Sequence, residues 1–184
     1  MAVVLGTNSG FVTVAPTSDP GAFYAPEIDD NAFVTKDTSP ETAIKITEIG
    51  WWCDNATEEA NFEVGLYAAD GEVVPGEAGT LLYSDTTNAK GTTAGWKSVA
   101  VDWEISGNTV YWLGVQLDNT ATATATNHDT NFGSGNDFLA ASIETLPNPF
   151  GGGALSNANG KTTLYAVWEA EAPTTGGQDG PYVY

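Results

Sequence analysis

The amino-acid sequence predicts an all-β fold in which two antiparallel sheets form a β-sandwich. Apolar and polar residues alternate along several short segments, which is typical of strands with one buried face. Glycine and threonine are abundant, whereas arginine is absent and the helix formers Lys, Gln and Met are scarce. No apolar pattern has the length and period of an amphipathic helix, so strands joined by turns account best for the chain.

Seven segments are predicted to be strands, because each combines alternation or an apolar run with turn residues on its flanks. These segments are Ala32–Lys36, Ile44–Cys53, Asn61–Ala68, Thr80–Ser84, Trp96–Trp103, Thr109–Leu117 and Thr162–Glu169. Pro75-Gly76 supplies turn chemistry between two of them, and Ser106–Asn108 predicts a short hairpin. Many short strands with closely spaced turns are typical of a β-sandwich or a jelly roll.

One predicted strand carries an irregularity that its own pattern reveals. The apolar positions of Ile44–Cys53 change parity between Ile46 and Ile49. Because one extra residue in a strand restores the alternation, a β-bulge is predicted near Thr47 and Glu48. The bulge would let both halves of the strand bury the same face.

The composition also predicts how the chain is organised. Residues 1–31 are rich in Gly, Pro, Ser and Asp and are predicted to form an extended N-terminal arm, with one β-like run at Phe11–Val14. Residues 32–169 are assigned to one β-sandwich domain, in which residues 118–160 are expected to form long loops around one or two short strands. Residues 170–184 contain several Gly and Pro residues, which predicts a flexible C-terminal tail.

The chain is strongly acidic, with 24 Asp and Glu residues against 5 Lys and Arg residues and a formal net charge of −19. A protein that grips nucleic acid must neutralise phosphates with Lys and Arg, and scattered lysines cannot form such a surface. Binding to nucleic acid or to an anionic membrane is therefore not expected. Membrane insertion is not expected either, since no apolar stretch approaches about 18 residues, and the first residues lack the basic region of a signal peptide.

Catalytic chemistry is difficult to build from these residues. His128 is the only histidine, so zinc sites that need two or three His ligands are excluded, and a Ser-His-Asp triad could use only that residue. Acidic pairs can be chosen on paper for glycoside hydrolysis, but 24 acids make chance pairs unavoidable. The sequence therefore predicts a protein that is not an enzyme.

The middle of the chain contains FEVGLYAADGEVVPGEAGTLLYSD and AGWKSVAVDWEISGNTVYWLGVQLD, in which turn glycines and core aromatics recur. This part resembles jelly-roll-like β-sandwich modules of bacterial surface and secreted proteins, over roughly residues 44–118. The opening MAVVLGTNSGFVTVAPTSD and the NPFGGGAL segment resemble small virion proteins of tailed phages. These resemblances imply a jelly-roll-like fold and a non-catalytic, surface-associated role, and they carry over no active-site residue.

A segment rich in Asp and Asn is the candidate metal site. Asp129, Asn131, Asn136 and Asp137 lie in a glycine-punctuated region, and Ca²⁺ prefers oxygen ligands in a flexible loop. The spacing does not match an EF-hand, and such loops also form Asx-turns without any metal. Calcium is the one cofactor that the sequence suggests, and no other is expected.

Aromatic residues are the candidate partner-binding residues. Trp52 follows another Trp in one strand, so the two side chains must point to opposite faces, and Trp112 lies opposite an apolar face of its strand. An exposed Trp could stack on a sugar or anchor a protein interface, and the alternative is that it fills the core. Tyr182, Val183 and Tyr184 are predicted to dock on a neighbouring subunit or on the sandwich itself, with a disordered end as the alternative.

Two functions are consistent with these observations. The first is a virion structural or decoration protein that assembles with copies of itself or with capsid or tail proteins of a phage, as an arm and a tail around a rigid body suggest. The second is a carbohydrate-binding or adhesion module of an extracellular or cell-surface protein, as the aromatic content suggests. The expected partner is accordingly another protein chain or a glycan, and the expected location is the virion or the cell surface.

Overall fold

The computed structural model describes residues 9–10, 31–53, 62–71, 77–87, 95–117, 128–129, 137–141, 145–150, 155–158, 161–162 and 164–171. Every regular element in these residues is a β-strand, which confirms the predicted all-β class. The strands are β1 (Ser9–Gly10), β2 (Asn31–Thr38), β3 (Ala43–Cys53), β4 (Phe62–Ala68), β5 (Leu81–Thr87), β6 (Gly95–Glu104), β7 (Val110–Leu117), β8 (His128–Asp129), β9 (Asp137–Ala141), β10 (Leu155–Ala158), β11 (Lys161–Thr162) and β12 (Leu164–Ala170).

Ten of these strands form two antiparallel sheets that pack face to face, as in a β-sandwich. The four-stranded sheet has the order β1-β12-β3-β6, and the six-stranded sheet has the order β10-β9-β2-β7-β4-β5. β8 and β11 form a separate two-stranded sheet. The chain passes between the two large sheets after β2, β3, β5 and β6, so most neighbours within a sheet are distant in sequence.

The main core lies between the two large sheets, because the strands of both sheets turn an apolar face inward. Phe33, Leu66 and Leu113 come from the six-stranded sheet, whereas Ile49 and Trp51 come from the four-stranded sheet. All five side chains are at most 2% exposed. Since each Å² of apolar surface removed from water stabilises by about 25 cal/mol, this layer is the main source of stability.

Two aromatic rings close the core on the side where β5 and β6 approach each other. The rings of Tyr83 and Trp103 stack with their centroids 5.7 Å apart and an interplanar angle of 9°. Such a pair stabilises by about 0.5–1.5 kcal/mol beyond the area that it buries. β5 and β6, each the last strand of its sheet, are therefore tied together across the core.

A corner at one end of the molecule joins β2 to β3 and β6 to β7. The buried Ser39 hydroxyl donates to the Ser106 carbonyl at 2.6 Å and accepts the Thr109 N–H at 2.9 Å. Gly107 lies against the Glu41 carbonyl, so that any Cβ at this position would collide with the backbone. The turn predicted at Ser106–Asn108 is therefore present, and glycine is required for its close contact with the second turn. The predicted hairpin is wrong, because β6 and β7 lie in different sheets and do not pair with each other.

The predicted bulge in β3 is confirmed by its pairing with β12. Glu48 pairs with Val167 and Ile46 pairs with Trp168, so Thr47 is the extra residue. The extra residue keeps Ile46 and Ile49 on the buried face, although three positions separate them.

Other boundaries differ from the sequence-based prediction. The strand predicted at Thr162–Glu169 is two strands, because β11 pairs with β8 whereas β12 pairs with β3. The described parts of residues 118–160 contain three short strands, of which β9 and β10 extend the six-stranded sheet beyond β2. The segment predicted as an N-terminal arm contributes β1, which pairs with β12. The run predicted at Phe11–Val14 and the tail after residue 171 lie outside the described residues.

Candidate functional site

The two Trp residues predicted to bind a partner lie in different sheets. Trp112 of β7 is 0% exposed and belongs to a second apolar cluster, on the outer face of the six-stranded sheet. Its ring is therefore core and offers no surface to a partner, and Lys36 Nζ lies 5.3 Å from the ring centroid. Trp52 of β3 lies directly opposite Trp96 of β6, while its side chain is outside the described part of the structure.

The predicted calcium ligands are only partly covered by the structure. Asp129 lies in β8 opposite Lys161, and Asp137 begins β9, so the candidate loop joins two strands. Asn131 and Asn136 lie outside the described residues, where calcium binding stays a prediction. Among the residues that are described, no three His, Cys, Asp or Glu side chains are grouped so as to hold a metal ion. The docking residues predicted in the tail also lie outside: Tyr182, Val183 and Tyr184.

Part of the outer face of the six-stranded sheet is covered by residues 145–150, which we call the cover segment. Its Leu146 and Phe150 side chains are 6% and 7% exposed and pack in the cluster that contains Tyr67 and Trp112. The Phe150 ring meets the Tyr67 ring edge-on, with centroids 5.3 Å apart. The chain therefore covers these aromatic side chains with its own residues.

Two glycines in register leave the sheet surface without side chains beneath Leu146. Gly65 of β4 pairs with Gly114 of β7, and we call this pair the glycine socket. A Cβ on Gly65 would lie 2.6 Å from Leu146 Cδ1, and a Cβ on Gly114 would lie 3.5 Å from Leu146 Cδ2. Leu146 thus packs directly on the backbone of the sheet, which is a use of glycine within a strand that sequence pattern alone does not show.

Polar contacts fix the cover segment above the socket. The Leu146 N–H donates to Glu63 Oε2 at 2.6 Å, and the Tyr67 hydroxyl donates to the Pro147 carbonyl at 3.0 Å. Burial raises the pKa of Glu63 and outweighs the opposing effect of the Leu146 N–H. Burial, with the nearby Glu63 charge, also raises the pKa of Tyr67, so its hydroxyl stays protonated and remains a donor.

The outer face of the four-stranded sheet carries an aromatic and acidic cluster formed by Glu48, Trp96 and Tyr165. The Tyr165 hydroxyl donates to Glu48 Oε1 at 2.5 Å, and the Trp96 and Tyr165 rings meet at 62° with centroids 5.6 Å apart. The Tyr165 ring crosses Gly50, its partner in register, where no side chain blocks the approach. Burial, and then Glu48 as hydrogen-bond acceptor and charge, raise the pKa of Tyr165. Tyr165 is 4% exposed, whereas Trp96 is half-buried.

Three large aliphatic side chains of the described residues are exposed, namely Ile44 (42%), Leu82 (42%) and Val110 (37%). They lie near the starts of β3, β5 and β7. The end of β4 pairs with the starts of β5 and β7, so these two starts lie at the same end of the sheet. Thr38, at the end of β2, pairs with Val110, and the chain enters β3 one short turn after Thr38. The three side chains therefore share one end of the molecule, which we call the apolar end.

Charge distinguishes the two edge strands β5 and β6. Among the exposed side chains of β6 are Asp102 and Glu104, and Lys45 Nζ of β3 lies 2.5 Å from Asp102 Oδ1. This contact raises the pKa of Lys45, first through the hydrogen bond and then through the charge of Asp102. The exposed side chains of β5 are uncharged: Leu82, Ser84 and Thr86.

The sequence alone did not mark Glu48, Glu63, Trp96 or Tyr165 as members of a site. The available signal was a glycine inside a strand, because such a glycine often marks the close approach of another group. Gly50 marks the crossing of the Tyr165 ring in this way.

No family model matches this chain, and no curated protein shows significant similarity to it. In the part of the chain that the structure describes, no helix has the length and hydropathy needed to cross a membrane.

Proposed function

We propose that this chain is a non-catalytic β-sandwich that acts by assembling with other protein chains, as a structural or decoration protein on a phage capsid or tail. The observation that carries the proposal is the apolar end, where Ile44, Leu82 and Val110 are exposed together. Exposed apolar side chains grouped on an otherwise polar surface mark sites of contact between proteins. Single exposed aliphatic residues are ordinary, so the grouping at one end is the feature that matters.

Charge supports contact at this end. A net charge of −19 makes copies of the chain repel one another, and most surfaces of a partner of similar acidity would be repelled as well. Close contact then requires either a basic partner or an uncharged patch. Ile44, Leu82 and Val110 supply uncharged side chains at this end, and the exposed Glu41 and Asp70 at the same end favour a basic partner.

A jelly-roll-like connection of the strands is part of the same proposal. The repeated passage between the two sheets, after β2, β3, β5 and β6, is typical of Greek-key and jelly-roll sandwiches. Sandwiches of this kind form many capsid and surface proteins. The sequence resemblance over residues 44–118 agrees with this arrangement.

The test uses purified phage particles that are encoded by the same genome as this chain. Mass spectrometry of purified particles should find the chain in a fixed ratio to the capsid or tail proteins. Purified chain should bind particles from which it has been removed, and Ile44→Lys or Val110→Lys alone should weaken that binding. Ala100→Lys, at an exposed position of β6, is the matched control for added charge. Particles that lack the chain and do not bind it would refute the proposal.

A carbohydrate-binding role at the cell surface is a second candidate, favoured by the cluster of Glu48, Trp96 and Tyr165. A half-buried Trp can stack on a sugar ring, and a neighbouring carboxylate can accept hydrogen bonds from its hydroxyls. A glycan array with calcium present tests this role, with Trp96→Ala as the variant and Leu82→Ala as the control. Binding lost only in Trp96→Ala would support it, and the absence of any bound glycan would reject it.

A further inference from the structure

The six-stranded sheet ends at β5, and none of the other described strands lies beside its outer edge. An edge strand presents a row of backbone N–H and C=O groups that can pair with another chain. Proteins commonly protect such edges with charged side chains, bulges or short strands. The two edge strands β5 and β6 differ in this respect.

The edge of β6 is protected against pairing with another chain, whereas the edge of β5 is largely unprotected. The exposed positions of β6 carry Asp102 and Glu104, which would repel an approaching acidic strand. The exposed positions of β5 carry no charge, and the one acid in this strand, Asp85, is half-buried. The pairing of β5 with β4 shifts only near Leu82, so the residues that follow form a regular edge.

We propose that β5 pairs with β5 of a second copy of this chain, antiparallel about a two-fold axis, and joins two six-stranded sheets into one. The proposal rests on the assembly role proposed above and names the surface that serves it. Two chains of net charge −19 can approach closely only where the facing surfaces carry little charge. The exposed side chains of β5 carry no charge and fulfil this condition, and Leu82 among them adds exposed apolar area.

Symmetry and side-chain alternation restrict the register of the pairing. In an antiparallel pair about a two-fold axis, one residue meets its own copy, and opposed residues point to the same face. A centre at Ser84 places Tyr83 opposite the partner's Asp85 and Leu82 opposite the partner's Thr86. A centre at Asp85 would oppose two carboxylates, which is destabilising. The register centred on Ser84 is therefore the one that we infer.

Disulfide trapping in the full chain tests this register. Ser84→Cys should give a covalent dimer on mild oxidation, because opposed residues of an antiparallel pair have Cα atoms about 4.5–5.5 Å apart, within disulfide reach. Ala100→Cys, on the edge strand β6, is the matched control. The wild-type chain, with Cys53 as its single cysteine, sets the background.

Sedimentation equilibrium at physiological ionic strength tests the surface itself. The wild-type chain should dimerise reversibly, Leu82→Lys should weaken dimerisation by about tenfold or more, and Ala100→Lys should leave it unchanged. Circular dichroism and the melting temperature show that each variant is folded.

The outcomes separate this inference from the proposed function. If particles contain the chain but Leu82→Lys dimerises normally, or Ser84→Cys does not crosslink above background, the β5 interface is wrong and the assembly role stands. A wild-type chain that stays monomeric at every concentration likewise overturns the β5 interface. If the chain neither self-associates nor occurs on particles, both proposals fail.

Discussion

Replacing Gly65 with Ala tests whether the glycine socket holds Leu146. The new Cβ would lie 2.6 Å from Leu146 Cδ1, 3.0 Å from Leu81 Cδ1 and 3.2 Å from the Tyr83 carbonyl oxygen. Leu146 must move, and overpacking of this kind costs about 1–3 kcal/mol. Removing a glycine also restricts the unfolded chain, which stabilises by about 0.4–1 kcal/mol. We therefore expect Gly65→Ala to lower the free energy of unfolding by about 1–2 kcal/mol.

A double-mutant cycle identifies Leu146 as the cause. Leu146→Ala alone should cost about 2–3 kcal/mol, the lower part of the range for a buried leucine, because the side chain packs under a surface segment that can relax. In the double variant, the methyl group introduced by Gly65→Ala occupies space that the Leu146 side chain has left. The double variant should therefore be more stable than the sum of the single changes predicts, by about 1 kcal/mol.

Urea unfolding followed by Trp fluorescence gives the free energy of unfolding of all three variants. An unchanged slope of this free energy against urea concentration shows that the comparison is valid. Leu82→Ala is the matched control at protein concentrations where the chain is monomeric, because Leu82 is 42% exposed and its truncation should change the stability of the monomer by less than about 0.5 kcal/mol. Strict additivity in the cycle, or a Gly65→Ala protein as stable as the wild type, would refute the packing of Leu146 on the socket.

Three further predictions concern pH, salt and the tail. Because burial raises the pKa of Glu63, the folded protein holds a proton there more readily than the unfolded chain. The free energy of unfolding should therefore fall as pH rises from the ordinary glutamate pKa through the raised one. Glu63→Gln should remove this part of the pH dependence of the urea midpoint, and identical profiles for the two proteins would contradict it. The melting temperature should rise between low salt and about 0.15 M NaCl, because salt screens the repulsion within a chain of net charge −19. A flat or falling melting temperature would contradict this, and a larger rise with calcium at equal ionic strength would indicate a site in residues 129–137. Removing residues 172–184 should leave the sheets folded, since the Glu171 N–H still donates to the Thr42 carbonyl at 2.8 Å, but should weaken self-association measured by sedimentation. Unchanged self-association would show that Tyr182–Tyr184 does not dock on a neighbouring subunit.

The strands that were predicted correctly are those in which the alternation of apolar and polar residues itself determines which face is buried. β4 and β7 alternate cleanly, and both occupy the segments predicted for them. The bulge at Thr47 was predictable because a parity change between two buried isoleucines has one simple geometric solution. In such strands the local sequence pattern favours the same structure as the contact with the facing sheet does.

The remaining elements depend on partners that the local sequence does not reveal. β9 has the sequence DFLAA, which lacks alternation, and its pairing is supplied by β2, about a hundred residues earlier in the chain. The cover segment is equally hidden, because Leu146 is buried only where Gly65 and Gly114 meet in register. For the same reason the sequence did not show that Trp112 is covered, since its cover comes from a distant segment.

The position of β12 sets the order in which the sheets can form during synthesis. β12 lies between β1 and β3, although it is the last described strand along the chain. β2, β4, β5 and β7 can pair once Leu117 has been made, whereas β3 must wait for Leu164–Ala170 before it gains its second neighbour. A ribosome-bound chain that stops short of these residues therefore exposes an open edge of β3 to other nascent chains. Because the pairing of β1 with β12 spans most of the sequence, the four-stranded sheet should be the slower of the two sheets to form.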